Sequence, residues 1–106
     1  MDLQNLKIAK DYYEGWETKD VSKLKLFSGL KFTSPDSMFN FADDFLKACW
    51  HLAGVKLENK QFISDGNIVC VKYEINSAEN GSRHYSEWLT IEGGEIREIE
   101  VFYGSK

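Results

Sequence analysis

The sequence predicts an α+β domain in which helices come first and an antiparallel sheet follows. Apolar residues recur at helical spacing before Gly54, whereas apolar and polar residues alternate after it, as they do in strands. Two turn signals, Asp65-Gly66 and Gly93-Gly94, join the later segments into hairpins, because a tight primed turn needs positive φ angles. Consecutive hairpins build an antiparallel sheet, and the helices are expected to pack on one of its faces.

Length and composition limit the possible functions. The chain of 106 residues is expected to form one domain, and its formal charge of −4 argues against nucleic acid, which needs a concentrated basic face. No apolar run could span a bilayer and no leader-like start is present, so we expect no membrane association and a cytoplasmic location. Cys49 and Cys70 lack metal-site or disulfide-framework spacing, which predicts reduced thiols, no metal and no cofactor.

Three helices are predicted in the first half of the chain. The first covers about residues 3–17. Its apolar stripe consists of Leu6, Ala9, Tyr13 and Trp16, widened by Ile8 and Tyr12. Asp20 can cap a short second helix that contains Val21, Leu24 and Phe27. After a strand over residues 29–34, which Pro35 ends, the third helix covers roughly residues 41–53, with Asn40 as its cap.

Strands are predicted over residues 55–64, 67–76 and both arms of a hairpin over residues 83–103. In the outgoing arm of that hairpin, Glu87 shares one face with Tyr85, Leu89 and Ile91, which is the expected core face. A carboxylate buried there would have a raised pKa, and its neutral form could donate a hydrogen bond. The alternative is an outward glutamate, or one paired with Arg83, Arg97 or a lysine.

The opposite face of the same hairpin should carry Trp88, Ile96 and Phe102. A monomer would leave this apolar group in contact with water, and such patches usually mark a partner surface. The pattern therefore predicts a homodimer formed through the outer face of the sheet.

Three motifs occur in an informative order: the helix end from Tyr12 to Asp20, the segment Phe32-Thr-Ser-Pro35, and the final strand from Gly94 to Gly104. In these motifs the chain resembles the SnoaL-like and nuclear transport factor 2-like superfamily, which includes ketosteroid isomerase, over nearly all of residues 1–106. The resemblance implies a single SnoaL-like domain with a cystatin-like cone, an α+β barrel. In it, three N-terminal helices pack on a strongly curved antiparallel sheet around a deep pocket.

The similarity to ketosteroid isomerase implies candidate catalytic residues. Tyr12 lies eight residues before Asp20, as the oxyanion-binding tyrosine of that enzyme lies before an aspartate, and Tyr13 is a rival for the inward position. Glu87 falls where that enzyme has a neutral aspartic acid. Ser34 stands before Pro35, where the enzyme carries its base, and serine cannot shuttle a proton at neutral pH. Isomerase activity is therefore not implied, although Asp36 is close by.

A pocket in such a fold would bring aromatic side chains together. The candidate ligand-binding residues are Trp16, Phe32, Ser34, Phe45 and Tyr103. Three functions remain open: a homodimeric protein that binds a small apolar molecule, an enzyme of the isomerase, cyclase or dehydratase kind, and a protein-interaction module that uses the outer sheet face. In the enzyme, Tyr12 and Glu87 would polarise a carbonyl while Asp36 or a water molecule takes a proton.

Overall fold

The computed structural model describes residues 2–79 and 81–103. Its α-helices and strands are α1 (Asp2–Thr18), β1 (Leu26–Thr33), β2 (Met38–Phe39), α2 (Ala42–Cys49), β3 (Glu58–Asp65), β4 (Ile68–Ser77), β5 (Gly81–Glu92) and β6 (Glu95–Tyr103). Single 3-10 turns occupy Val21–Lys23 and Trp50–Leu52. Gly104, the end of the third sequence motif, lies outside the described residues. No helix in the described part of the chain is long and apolar enough to cross a membrane.

The strands form one six-stranded sheet in the order β2-β1-β6-β5-β4-β3. All neighbours are antiparallel except β1 and β6, which are parallel. The α+β prediction is confirmed, and so is the Gly93-Gly94 turn, where φ is +61° and +79°. The predicted barrel and strong curvature are wrong: the sheet is not strongly curled, and β2 and β3 remain at its two edges.

The prediction of three helices is also wrong, because the described residues contain two α-helices. The second predicted helix is a single 3-10 turn, capped by Asp20, whose carboxylate accepts the backbone N–H of Ser22 at 3.1 Å. It ends because Lys25 adopts φ +51° and Leu26 then pairs with Ile96 of β6. The third predicted helix is shorter than expected: it begins after Phe41, without a side-chain cap, and its last part is the second 3-10 turn.

Both α-helices pack on the same face of the sheet, which we call the inner face, and the apolar core lies between them. The opposite face is the outer face. A register shift between β5 and β6 pairs Ile91 with Ile96 but Leu89 with Ile99, so β6 contains one extra residue there. This bulge turns Ile96 inward, where it is fully buried. The predicted outer position of Ile96 is therefore wrong, whereas Trp88 and Phe102 do lie exposed.

Candidate functional site

A cavity of about 460 Å³ lies between the two helices and the inner face of the sheet. The three candidate catalytic residues, Tyr12, Asp36 and Glu87, all line it. The five candidate ligand-binding residues, Trp16, Phe32, Ser34, Phe45 and Tyr103, line the same cavity. All eight candidate residues therefore line one cavity, and their roles remain predictions.

Glu87 is the buried acid of the cavity, with only 7% of its surface exposed. The hydroxyl of Tyr13, on α1, donates to its Oε1 at 2.6 Å, and the hydroxyl of Tyr73, on β4, donates to its Oε2 at 2.5 Å. Of the two helix tyrosines, Tyr13 is thus the one that bonds to Glu87. We call Tyr13, Tyr73 and Glu87 the acid cluster. Alternation along β4 places Tyr73 inward, but its partner depends on the strand register, which the sequence does not reveal.

Burial controls the electrostatics of the acid cluster. Loss of hydration raises the pKa of Glu87 above its ordinary value, and this outweighs the hydrogen bonds from Tyr13 and Tyr73, which lower it. Burial, followed by the nearby charge of Glu87, raises the pKa of Tyr13 and of Tyr73. Both phenols therefore keep their protons at neutral pH and can act as donors.

The protonation of Glu87 decides what the acid cluster offers to a ligand. When Glu87 is ionised, both tyrosine hydroxyls donate to the carboxylate, and only phenolic lone pairs are left. When Glu87 is neutral, it can donate its proton to one tyrosine, whose own O–H is then free for a ligand carbonyl. Both carboxyl oxygens already have tyrosine partners. The hydrogen bond to a ligand, which the sequence predicted for Glu87 itself, would therefore come from a tyrosine.

Tyr12 and Trp16 form the helical wall next to the acid cluster. The Tyr12 ring packs edge-on against Tyr13, with centroids 4.8 Å apart, and against Trp16 at 6.2 Å. Burial raises the pKa of Tyr12, as does the charge of Glu87. The indole Nε1–H of Trp16 is buried and has no hydrogen-bond partner of acceptable geometry among the described residues. This wall therefore contains a donor that lies close to the Tyr12 hydroxyl but makes no well-aligned hydrogen bond with the described protein atoms.

The exposed end of the cavity is built by the turn after β1. The Ser34 hydroxyl accepts the backbone N–H groups of Asp36 and Ser37 at 3.3 and 3.1 Å, which fixes the turn around Pro35. The Tyr103 hydroxyl donates to the Asp36 carboxylate. Ser34 thus holds Asp36 at the cavity instead of supplying chemistry itself.

Sequence reasoning missed the position of Arg83, which was considered only as a partner for Glu87. Glu87 bonds to tyrosines instead, and Arg83 lines the cavity without contacting that carboxylate. Period-two alternation from Glu87 through Tyr85 could have placed Arg83 on the inner face. Within residues 2–79 and 81–103, no group of three or more His, Cys, Asp or Glu side chains is arranged to hold a metal ion.

The raised pKa of Glu87 predicts a pH-dependent stability. The folded protein binds this proton more tightly than the unfolded chain, so the free energy of unfolding falls as pH rises from the ordinary carboxyl pKa to the raised one, by about 1.4 kcal/mol per pKa unit. Glu87→Gln should flatten this slope and stabilise the protein near neutral pH. Urea unfolding from about pH 4 to pH 8 measures it. Glu100→Gln, an exposed change on β6, is the matched control and should keep the slope; an unchanged slope in Glu87→Gln would contradict the prediction.

No protein-family model and no curated protein matches this chain, but solved structures do. An NTF2-like protein of unknown function from Cytophaga hutchinsonii aligns with a TM-score of 0.82 at 18% identity, over 94% of this chain and 89% of that one. A candidate ketosteroid isomerase from Kribbella flavida aligns with a TM-score of 0.87 at 13% identity, over 99% of this chain and 81% of that one. A candidate polyketide cyclase from Xanthomonas campestris aligns with a TM-score of 0.82 at 11% identity, over 97% of this chain and 92% of that one. Identities this low show the fold alone: the chain has the fold of the NTF2-like proteins, as its sequence motifs predicted.

Proposed function

We propose that this protein binds a small, largely apolar molecule in the cavity between its helices and its sheet. The observation that carries the proposal is the acid cluster, in which a buried carboxyl and two phenols converge on a cavity with mainly aromatic and aliphatic walls. Ligand sites typically combine apolar walls with a few placed polar groups, in cavities of this size. Burying an acid costs stability, so packing alone gives no reason for Glu87 at this position.

The walls favour a flat, ring-containing ligand. Phe32 and Phe45 are stacked with centroids 4.4 Å apart, and Trp16 packs against Phe45 at 5.8 Å. On the sheet side, Tyr73 and Tyr85 are stacked at 5.2 Å. Aromatic faces prefer offset-stacked and edge-on contacts with other rings. Two of the matched structures are named as candidate enzymes for a ketosteroid and a polyketide, which supports a small organic ligand here.

Filling the cavity should abolish binding. Ile75 lines the cavity from β4, and Ile75→Trp places a larger side chain where the ligand would lie. We expect the apolar fluorescent dye N-phenylnaphthylamine to bind the wild type, and we expect its affinity for this variant to be at least about ten-fold lower. Leu3→Trp makes a comparable change on α1, outside the cavity lining, where Leu3 is 77% exposed, and should bind normally. Equal dye affinity in all three proteins would place binding outside the cavity.

A catalytic function is the second candidate, because Asp36 lies in the same cavity as Tyr12 and the acid cluster. In this mechanism, a tyrosine O–H holds a ligand carbonyl oxygen while Asp36 removes a proton from the adjacent carbon. The electron pair of that C–H bond forms a carbon–carbon double bond, and the π pair of the carbonyl moves to its oxygen, so that an enolate stabilised by the tyrosine results and Asp36 carries the proton. Asp36 would then replace the base that a ketosteroid isomerase carries at the position of Ser34.

Solvent exchange tests this step directly. An active protein should incorporate deuterium from D₂O into the methyl group of acetonaphthone, an apolar ketone, faster than buffer alone, as measured by NMR. Asp36→Asn should lower the rate to that of buffer, because it removes the base while keeping the shape. Asp43→Asn, an exposed change in the first turn of α2, should keep the wild-type rate. Wild-type exchange no faster than buffer would leave the binding function alone.

We also propose that the protein forms a homodimer through its outer sheet face. Trp88 and Phe102 are 49% and 51% exposed on this face. Ile63, Cys70 and Trp88 occupy consecutive positions across β3, β4 and β5, so the apolar surface is continuous. Lys72 and Glu74 share the Cys70 face of β4 and place both signs of charge beside it, which suits a second copy of the same face.

Light scattering at micromolar concentration tests the dimer. We expect a dimeric mass for the wild type and a monomeric mass for Trp88→Glu, since an unpaired charge would be buried at the centre of an interface of about 1,200–2,000 Å². Phe41→Glu, which changes an exposed aromatic residue at the start of α2, should stay dimeric. A monomeric wild type would leave this face available for a different protein, as in the interaction-module hypothesis.

A further inference from the structure

Arg83 lies on the inner face of β5, in the same alternation as Tyr85 and Glu87. Glu87 lies four positions further along the strand, a span of roughly 13 Å. Its side chain is half-buried and lines the cavity, yet it makes no hydrogen bond or ion pair within the described part of the chain. The other arginine, Arg97, is fully engaged: it packs over the Phe27 ring at 4.2 Å and donates to the Glu92 carbonyl at 3.3 Å.

The acids of the cavity do not satisfy Arg83. Glu87 is bonded to Tyr13 and Tyr73, and Asp36 is bonded to Tyr103. Neither carboxylate lies within ion-pairing distance of the guanidinium. A guanidinium presents its N–H donors as a planar fork that matches a carboxylate, and such a pair is stronger in a partly dry cavity than in water.

The indole of Trp16 supplies an independent observation. Its buried Nε1–H makes no hydrogen bond of acceptable geometry among the described residues, although the Tyr12 hydroxyl lies close to it, and the ring lines the same cavity. Two donors of this cavity, one of them charged, thus make no well-aligned hydrogen bond within the described protein. A ligand that satisfies them must carry acceptor oxygens, and a positively charged ligand would be repelled by Arg83.

We propose that the cavity selects an organic anion, namely an apolar molecule that carries a carboxylate. The carboxylate pairs with Arg83, and the apolar body extends along β5 towards the acid cluster. This inference rests on the proposed ligand-binding function and adds the charge of the ligand to it. Asp36 opposes the anion, because its own charge lies in the same cavity, but its bond to Tyr103 offsets part of that charge.

The test uses two competitors of the same shape, naphthoate and its neutral amide, naphthamide, which displace N-phenylnaphthylamine from the protein. In the wild type, naphthoate should compete about ten-fold better than naphthamide, the size expected for a charge-assisted hydrogen bond. Arg83→Gln should remove this preference while leaving naphthamide unchanged. It should also fold normally, because the backbone of Arg83 still pairs with Ile75 and its side chain makes no hydrogen bond or ion pair among the described residues. Asp36→Asn should increase the preference for naphthoate.

Arg97→Gln is the matched control, since it removes the same charge outside the cavity and should keep the preference for naphthoate. If naphthamide competes as well as naphthoate in the wild type, or if Arg83→Gln keeps the preference, the inference is overturned while the proposed function stands. If the dye, naphthoate and naphthamide all fail to bind by direct NMR titration, both the inference and the proposed function are overturned.

Discussion

The burial of one carboxyl group is the constraint on which the rest of this structure depends. Glu87 sits on the inner face of β5, and its two oxygens bind a helix tyrosine, Tyr13, and a sheet tyrosine, Tyr73. A buried acid without such partners would cost several kcal/mol, so both phenols are required where they are. The acid cluster therefore fixes the position of α1 over the sheet and, at the same time, places polar groups at the buried end of an apolar cavity.

The bulge in β6 separates the two faces of the sheet. Without it, the alternation of β6 would place Ile96 and Ile99 on opposite faces; with it, both are fully buried under the helices. Trp88 and Phe102 remain outside. The cavity and the exposed apolar patch consequently lie on opposite faces of one sheet, so a second copy bound to the outer face would leave the entrance to the cavity open.

The two ends of the cavity carry different polar groups. The acid cluster lies at its buried end. There, protonation of Glu87 frees the O–H of one tyrosine, which can then donate a hydrogen bond to a ligand instead of only accepting one. Asp36 and Arg83 bring opposite charges to it, and of the two only Asp36 has a hydrogen-bond partner in the described protein. A ligand that fits these groups would be held in one orientation. Both ligand binding and proton transfer require the ligand to lie in one fixed orientation, which is why both functions can be proposed from the same residues.

The sequence by itself determined which residues face inward, because alternation along β5 is local: Tyr85, Glu87, Leu89 and Ile91 follow from period two, and the Gly93-Gly94 turn from its φ angles. Only the tertiary structure decided which groups meet. Tyr73 reaches Glu87 through the register of β4 on β5, and Ile96 faces inward because one extra residue reverses the alternation. The second predicted helix is a single 3-10 turn for the same reason: the spacing of Val21, Leu24 and Phe27 suits a helix, but Leu26 begins β1 and pairs with Ile96 of β6. Local alternation fixes the faces of an unbroken strand, whereas contacts between distant segments fix the partners and the position of the bulge.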